Sequence, residues 1–204
     1  MKLVHEEFLL GQASSATSGE FADCLSDIRS AIKNVVWPEN SRTFTIHPVV
    51  DGNGVLPIKV GFVRKLKTLG WKLEDRPVLV QGLGPGKIDA LKPLLDGRQF
   101  AAEWETGNIS SSHRALNKIC MGIIEGQLAG GVLILPDREL YRFLTQRIGN
   151  YKELAPYFPV YRHLKAMNGL LAVFAVSFDR TSSKVALIPK GMDGHSLQRR
   201  SLGR

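Results

Sequence analysis

The sequence predicts an α/β protein in which helices pack on a central sheet. The main indication is residues 110–125, where apolar residues recur at intervals of three and four between two strand-like segments, 98–105 and 131–135. A helix between two such segments is typical of a crossover that joins parallel strands. The length of 204 residues and the 44% hydrophobic content are sufficient for the core of one domain. We expect that domain over residues 1–192, followed by a basic tail over residues 193–204.

The N-terminal third of the chain predicts two helices separated by a short strand. The first helix covers residues 19–36, and Trp37-Pro38 ends it because proline cannot continue helical hydrogen bonding. Residues 43–46 alternate like a strand. The second helix covers residues 55–69 on one apolar stripe and is followed by a glycine, the usual residue after a helix.

Strands predominate in the rest of the chain. The further predicted strands cover residues 78–80, 88–91, 98–105, 131–135, 170–178 and 184–188, and a further helix covers residues 139–148. The glycine-rich residues 81–86 predict a turn between the first two of these strands. They are not a phosphate-binding loop, because their glycines are too close together and Ile88 stands where a Ser or Thr would bind magnesium.

Acidic residues are concentrated on two of the predicted strands. Glu103 and Glu105 are two apart, so in a strand they share a face, opposite Phe100 and Trp104. Paired carboxylates repel one another unless a cation lies between them, and hard cations such as Mg²⁺ bind carboxylate oxygens. Asp89, on the preceding strand, would complete a metal site with them.

Two alternatives to this metal site follow from the same residues. Glu103 and Glu105 would also fit a solvated edge strand with two surface carboxylates. Asp96 is a second candidate for the first acid, but Asp96-Gly97 is typical of a turn, whereas Asp89 lies in an apolar segment.

The acidic segment also resembles a known family. Asp89, followed by Glu103-Trp104-Glu105-Thr-Gly-Asn-Ile-Ser-Ser-Ser-His-Arg114, is similar to the active-site region of the PD-(D/E)XK nucleases, in particular the type II restriction endonucleases of the BamHI and BglII kind. Asp51-Gly-Asn-Gly-Val-Leu-Pro-Ile-Lys59 resembles the N-terminal region of the same group. Together with the segment that follows Lys59, these matches cover about half the chain.

This resemblance implies a restriction-endonuclease-like core, with a mixed central sheet flanked by helices. It also implies Mg²⁺ as cofactor, held by Asp89, Glu103 and the main-chain carbonyl of Trp104. Glu105 stands where the superfamily usually has lysine, so it is expected to orient or deprotonate the attacking water. The expected reaction is cleavage of double-stranded DNA by a homodimer at a short palindrome, for which the BglII side of the group suggests a GATC centre.

The start of the helix at residues 110–125 is the predicted DNA contact. Helix N-termini expose unpaired amides and a partial positive charge, which suits phosphate groups. The candidate residues on its first turns are Ser110, Ser111, His113, Arg114, Asn117 and Lys118. For the serines, simple capping of the helix is the competing interpretation.

Charge and composition favour the same partner. Lys plus Arg outnumber Asp plus Glu by 27 to 19, and a net charge of +8 attracts polyanions such as nucleic acid. The sequence contains no apolar span of the length that a transmembrane helix needs. Cys24 and Cys120 are predicted to be buried thiols. The acidic N-terminal residues do not fit a signal peptide, so a cytoplasmic location is expected.

The aromatic and apolar residues between Leu140 and Tyr161 are numerous enough that we expect part of this segment at a dimer interface. Packing is favoured over DNA binding for its aromatic cluster.

The alternatives to a restriction enzyme are a structure-specific or repair nuclease, and a catalytically silent DNA-binding protein of the same fold.

Overall fold

The computed structural model describes residues 1–11, 19–75, 86–164 and 169–190. Its strands are β1 (Lys2–Leu10), β2 (Thr45–Ile46), β3 (Lys72–Asp75), β4 (Ile88–Pro93), β5 (Gln99–Trp104), β6 (Leu128–Pro136), β7 (Leu170–Ser177) and β8 (Arg180–Thr181). Six of them form one sheet in the order β1-β7-β6-β5-β4-β3, and β2 pairs with β8 apart from it. The sheet is mixed: β5, β6 and β7 are parallel, whereas the pairs β1–β7, β3–β4 and β4–β5 are antiparallel.

Helices cover both faces of this sheet. They are α1 (Gly19–Asn34), α2 (Leu56–Thr68), α3 (Ile109–Ile124), α4 (Arg138–Tyr141), α5 (Tyr151–Leu154) and α6 (Phe158–Arg162). Buried residues of α1 and α2 form one apolar layer, and those of α3, α5 and α6 form the other. Because side chains alternate along a strand, β5 serves both layers, with Phe100 and Trp104 in the first and Ala101 in the second.

The α/β class and the mixed sheet flanked by helices are confirmed. Helix α3 is the crossover between the parallel strands β5 and β6, as its position in the chain predicts. The two cysteines, Cys24 and Cys120, are buried free thiols, and burial raises their pKa values to about 12 and about 11. No helix in the described ranges has the length and apolar content needed to cross a membrane.

Two predictions of secondary structure were wrong, and one strand of the sheet edge was missed. The helix expected over 139–148 ends at Tyr141, because the following backbone bonds to the loop at Asn53 instead, which accepts from Thr145 and donates to Phe143. Residues 184–188 form no strand, and the main-chain N–H of Ile188 donates to the side chain of Asn53. The N-terminal strand β1, at the edge of the sheet, was not predicted at all. The predicted strand at 78–80, most of the glycine-rich turn and the basic tail lie outside the described residues.

Candidate active site

Asp89 and Glu103 lie side by side where the antiparallel strands β4 and β5 separate. The regular ladder runs up to the pair Ala90–Ala102. Beyond this pair, the main-chain N–H groups of the two strands donate to side-chain carboxylates instead of to main-chain carbonyls. The main-chain N–H of Asp89 donates to Glu103 Oε2 at 2.8 Å, and the N–H of Trp104 donates to Asp89 Oδ2 at 2.9 Å. These bonds hold both carboxylates at the open end of the hairpin.

Each of these carboxylates has a lysine partner, and the two lysines come from helices on opposite faces of the sheet. Lys59, on α2, places its Nζ 2.7 Å from Asp89 Oδ1. Lys118, on α3, donates to Glu103 Oε1 and to the main-chain carbonyl of Lys87. The site is therefore built from two strands and one helix on each face of the sheet.

The two lysines change the residue assignment made from the sequence. Lys118 was expected to face DNA, but only 8% of it is exposed and its ammonium is bonded to Glu103 and to the main-chain carbonyl of Lys87. Lys59 was not among the predicted site residues. The available signal was its place in the N-terminal segment that resembles the endonuclease family, but helical spacing does not reveal which carboxylate a lysine reaches.

The surroundings of Glu103 make its negative charge costly. Burial is the main cause that raises the pKa of Glu103 above its ordinary value of 4.5, and the charge of Asp89 adds to it. The ammonium of Lys118 and the N–H of Asp89 act in the opposite direction without cancelling these effects. Burial, more than the charge of Asp89, is therefore what makes the ionised form of Glu103 costly, and each carboxylate of the pair has one ammonium as its counter-charge.

Glu105 stands apart from this pair. Strand β5 ends at Trp104, and the Glu105 carboxylate turns back to accept the N–H of Gly107 at 2.5 Å. A Cβ at Gly107 would lie 2.8 Å from Glu105 Oε1, so any larger residue there would push the Glu105 carboxylate out of this position. Within the described ranges, no three His, Cys, Asp or Glu residues come close enough to hold a metal ion together. The expected cluster of three acids is therefore a pair, with Glu105 beside it.

The main-chain carbonyl of Trp104 points to the same side of β5 as its N–H. In a strand, the N–H and C=O of one residue point to the same side, so the carbonyl of Trp104 is directed toward β4, as its N–H is. Two carboxylates and a carbonyl are the oxygen ligands that hard divalent cations prefer. The chemistry of this donor set fits Mg²⁺.

Asp96, the alternative first acid, lies at the other end of the hairpin. It occupies the turn between β4 and β5, where its carboxylate accepts from the main chain and side chain of Arg98. These hydrogen bonds lower the pKa of Asp96. Asp96 is a full strand length from the open end, roughly 15–20 Å for six residues. The structure therefore pairs Glu103 with Asp89.

The N-terminus of α3 follows Glu105 directly. Its cap is Asn108, whose side chain accepts the N–H of Ser111 at 3.0 Å, so the capping role expected for the serines belongs to Asn108. Ser110 and Arg114 are exposed, and Arg114 reaches the hydroxyl of Ser111 at 3.5 Å. These three residues lie on the first turns of α3, the helix that also carries Lys118.

Two other predicted DNA contacts, His113 and Asn117, also touch aromatic residues at or just before α6. The ring of His113 packs edge-on against Tyr157, with centroids 4.5 Å apart. The side-chain oxygen of Asn117 accepts the hydroxyl of Tyr161 at 2.9 Å. His113 therefore packs against the residue just before α6, and Asn117 connects α3 to α6 itself.

Comparison with known proteins gives consistent matches over nearly the whole chain. The family model described as restriction endonuclease BamHI matches residues 1–195. The type II restriction enzyme OkrAI of Oceanobacter kriegii is 49% identical over 174 residues, which cover 85% of this chain and 89% of that enzyme. The type II restriction enzyme BamHI of Bacillus amyloliquefaciens is 32% identical over 204 residues, covering 95% of this chain and 92% of that enzyme. The crystal structure of restriction endonuclease BglII complexed with a DNA 16-mer superposes with a TM-score of 0.63 at 10% identity, covering 88% of this chain and 79% of that one.

Proposed function

Because the chain belongs to the BamHI family of restriction endonucleases, and is therefore an endodeoxyribonuclease, we propose that it cleaves double-stranded DNA with Mg²⁺ as cofactor. We further propose that it acts as a homodimer on a short palindromic site. The observation that carries the proposal is the pairing of Asp89 with Glu103 at the open end of the β4–β5 hairpin. This pair provides carboxylate oxygens next to a helix N-terminus, where a phosphodiester would lie.

In this proposal Asp89, Glu103 and the carbonyl of Trp104 hold the metal ion. A bound Mg²⁺ supplies positive charge that polarises the scissile phosphate and lowers the pKa of the attacking water. Lys118 holds the Glu103 carboxylate in place, because its ammonium bonds both this carboxylate and the main-chain carbonyl of Lys87. The hydrogen bonds among these residues fix the ligands before any metal arrives.

Glu105 is the proposed base. Its carboxylate lies one residue beyond β5 and is oriented by the N–H of Gly107. From this position it accepts the proton of the attacking water, a role that lysine cannot perform while protonated. The water oxygen then attacks the phosphorus, and the leaving oxygen departs as the bond to it breaks.

The DNA contacts proposed at the site are Ser110, Ser111 and Arg114. They lie at the N-terminus of α3, where main-chain N–H groups and the helix dipole favour phosphate groups. The net charge of +8 supports the same partner, since it increases the attraction of the whole surface for a polyanion.

The homodimer is supported by exposed apolar residues on α3 and on residues 157–160 at the start of α6, which together we call the α3–α6 face. Its exposed large apolar residues are Met121, Ile124, Tyr157 and Val160. Most of the apolar residues expected at an interface between Leu140 and Tyr161 are instead part of the core. A second copy on the α3–α6 face would cover the apolar residues that remain and provide a second cleft for the other DNA strand.

Incubation of the purified protein with plasmid DNA tests the proposal. We expect discrete fragments with Mg²⁺ and none with EDTA, and the sequence at the fragment ends will give the recognition site, for which a GATC centre is expected. Smearing or random nicking would instead favour a structure-specific or repair nuclease. Intact plasmid in both reactions would contradict the proposal.

A further inference from the structure

The two lysines at the acidic pair are held very differently. The ammonium of Lys118 is almost fully buried and has two acceptors, a carboxylate and a main-chain carbonyl. The side chain of Lys59 is 31% exposed, and the contact described for its ammonium is the ion pair with Asp89. A buried group with two acceptors is fixed, whereas a partly exposed lysine on a flexible four-carbon stem can change partner without disturbing the fold.

Lys59 contacts the oxygen of Asp89 that is not bonded to the main chain. Asp89 Oδ2 accepts the N–H of Trp104, whereas the partner described for Oδ1 is a side chain, the Lys59 ammonium. That oxygen lies 2.7 Å from Lys59 Nζ. Two cations cannot share this position at contact distance, because like charges repel strongly in a partly buried site. A divalent ion that binds Asp89 through Oδ1 must therefore displace the ammonium.

We propose that Lys59 is a second functional cation of this site, with one position before metal binding and another after it. Before metal binds, its ammonium neutralises Asp89 and reduces the electrostatic repulsion between Asp89 and Glu103. Once a divalent ion takes Oδ1, the ammonium moves outward and contacts the phosphate that the metal binds. Lys59 then contributes positive charge to the transition state of phosphodiester hydrolysis. The inference rests on the metal dependence proposed above.

The position of Lys59 suits this role. It lies in the first turn and a half of α2, whose neighbouring Ile58 and Phe62 are buried in the core. The main chain at Lys59 is therefore fixed, and the displacement is confined to its side chain. An ion pair that is partly exposed to solvent contributes little to folding, so stability alone does not explain a lysine at this oxygen.

Two measurements on the full chain test the proposal. Calorimetric titration with Ca²⁺ in the absence of DNA measures metal affinity without cleavage, and single-turnover digestion at saturating Mg²⁺ measures the reaction. For Lys59→Gln we expect Ca²⁺ affinity to increase about threefold or more, because the competing cation is gone. We expect its cleavage rate to fall about tenfold or more, because the phosphate loses a charged contact. Lys67→Gln, on the exposed side of the same helix, should change neither value.

Lys59→Arg provides a second variant that retains the charge. A guanidinium can bind the Asp89 carboxylate with two hydrogen bonds, so Ca²⁺ affinity should fall about threefold. Unchanged or weaker Ca²⁺ binding by folded Lys59→Gln would overturn the displacement, and an unchanged cleavage rate would overturn the phosphate contact. If Lys59→Gln fails to fold, unchanged Ca²⁺ binding by Lys59→Arg overturns the displacement. A wild-type protein that binds no Ca²⁺ and cleaves equally well in EDTA would instead refute the metal site itself.

Discussion

Replacement of Lys118 by methionine tests whether this buried lysine holds the site together. Methionine retains the length of the aliphatic stem but leaves Glu103 buried beside Asp89 without its counter-charge. Loss of one partner from a buried ion pair costs about 3–5 kcal/mol of folding free energy. For a chain of this length the melting temperature should fall on the order of 10 °C.

The pH dependence of this loss follows from Glu103. Its pKa is raised in the folded protein, so folding favours the protonated form, and removal of Lys118 raises the pKa further. That stabilisation is fully present below the ordinary value of 4.5 and is lost as the pH rises through the folded pKa. The deficit of Lys118→Met should therefore be small near roughly pH 5 and full near roughly pH 8.

Urea denaturation of metal-free protein at both pH values measures this effect. The double variant Lys118→Met/Glu103→Gln should recover at least half of the lost stability, because no charge then remains unpaired at that position. Arg114→Met is the matched control on the exposed side of α3, and it should change stability by no more than about 0.5 kcal/mol while it weakens DNA binding. If Lys118→Met were as stable as the wild type but bound DNA as weakly as Arg114→Met, the buried role would be refuted and the original DNA-contact interpretation restored.

The remaining predictions concern the acids and the α3–α6 face. Asp89→Asn and Glu103→Gln should each abolish cleavage in plasmid assays while gel-shift affinity for DNA stays the same or improves, because negative charge facing phosphate is removed; cleavage at the wild-type rate would exclude that acid as a metal ligand. Glu105→Gln should bind DNA but lose about a hundredfold in single-turnover rate, and Glu105→Lys should not restore it; near-normal turnover would leave Glu105 outside the mechanism. The wild type should sediment at twice the monomer mass of 22.5 kDa, whereas Ile124→Glu should sediment as a monomer; a monomeric wild type at micromolar concentration would contradict the dimer.

Elements whose structure depends on neighbouring residues could be predicted from the sequence. Helix α3 and strand β5 follow from apolar spacing within a single segment, and their order along the chain predicts the parallel pairing with β6. The residue types of Asp96-Gly97 are typical of a turn, so the sequence favoured Asp89 over Asp96 as the partner of Glu103. The motif around Glu103 also identified the family.

Elements whose structure depends on distant partners could not be predicted. Residues 139–148 have apolar residues at helical spacing, but the backbone beyond Tyr141 bonds to a loop about ninety positions earlier in the chain. Strand β1 contains two adjacent glutamates, and its pairing with β7 depends on a neighbour near the other end of the chain. Periodicity describes which residues share a face, and it contains no information about what that face meets.

The acidic site shows the same division between sequence and tertiary structure. The sequence by itself determined that carboxylates are concentrated on two neighbouring strands, because residue identity and strand alternation are local properties. Only the tertiary structure decided that Glu105 turns away to Gly107, that Lys118 is buried on Glu103 and that Lys59 lies on Asp89. The physical reason is that ion pairs form between groups that the fold brings together, here 15 and 30 positions apart, and charge in a sequence does not specify its partner.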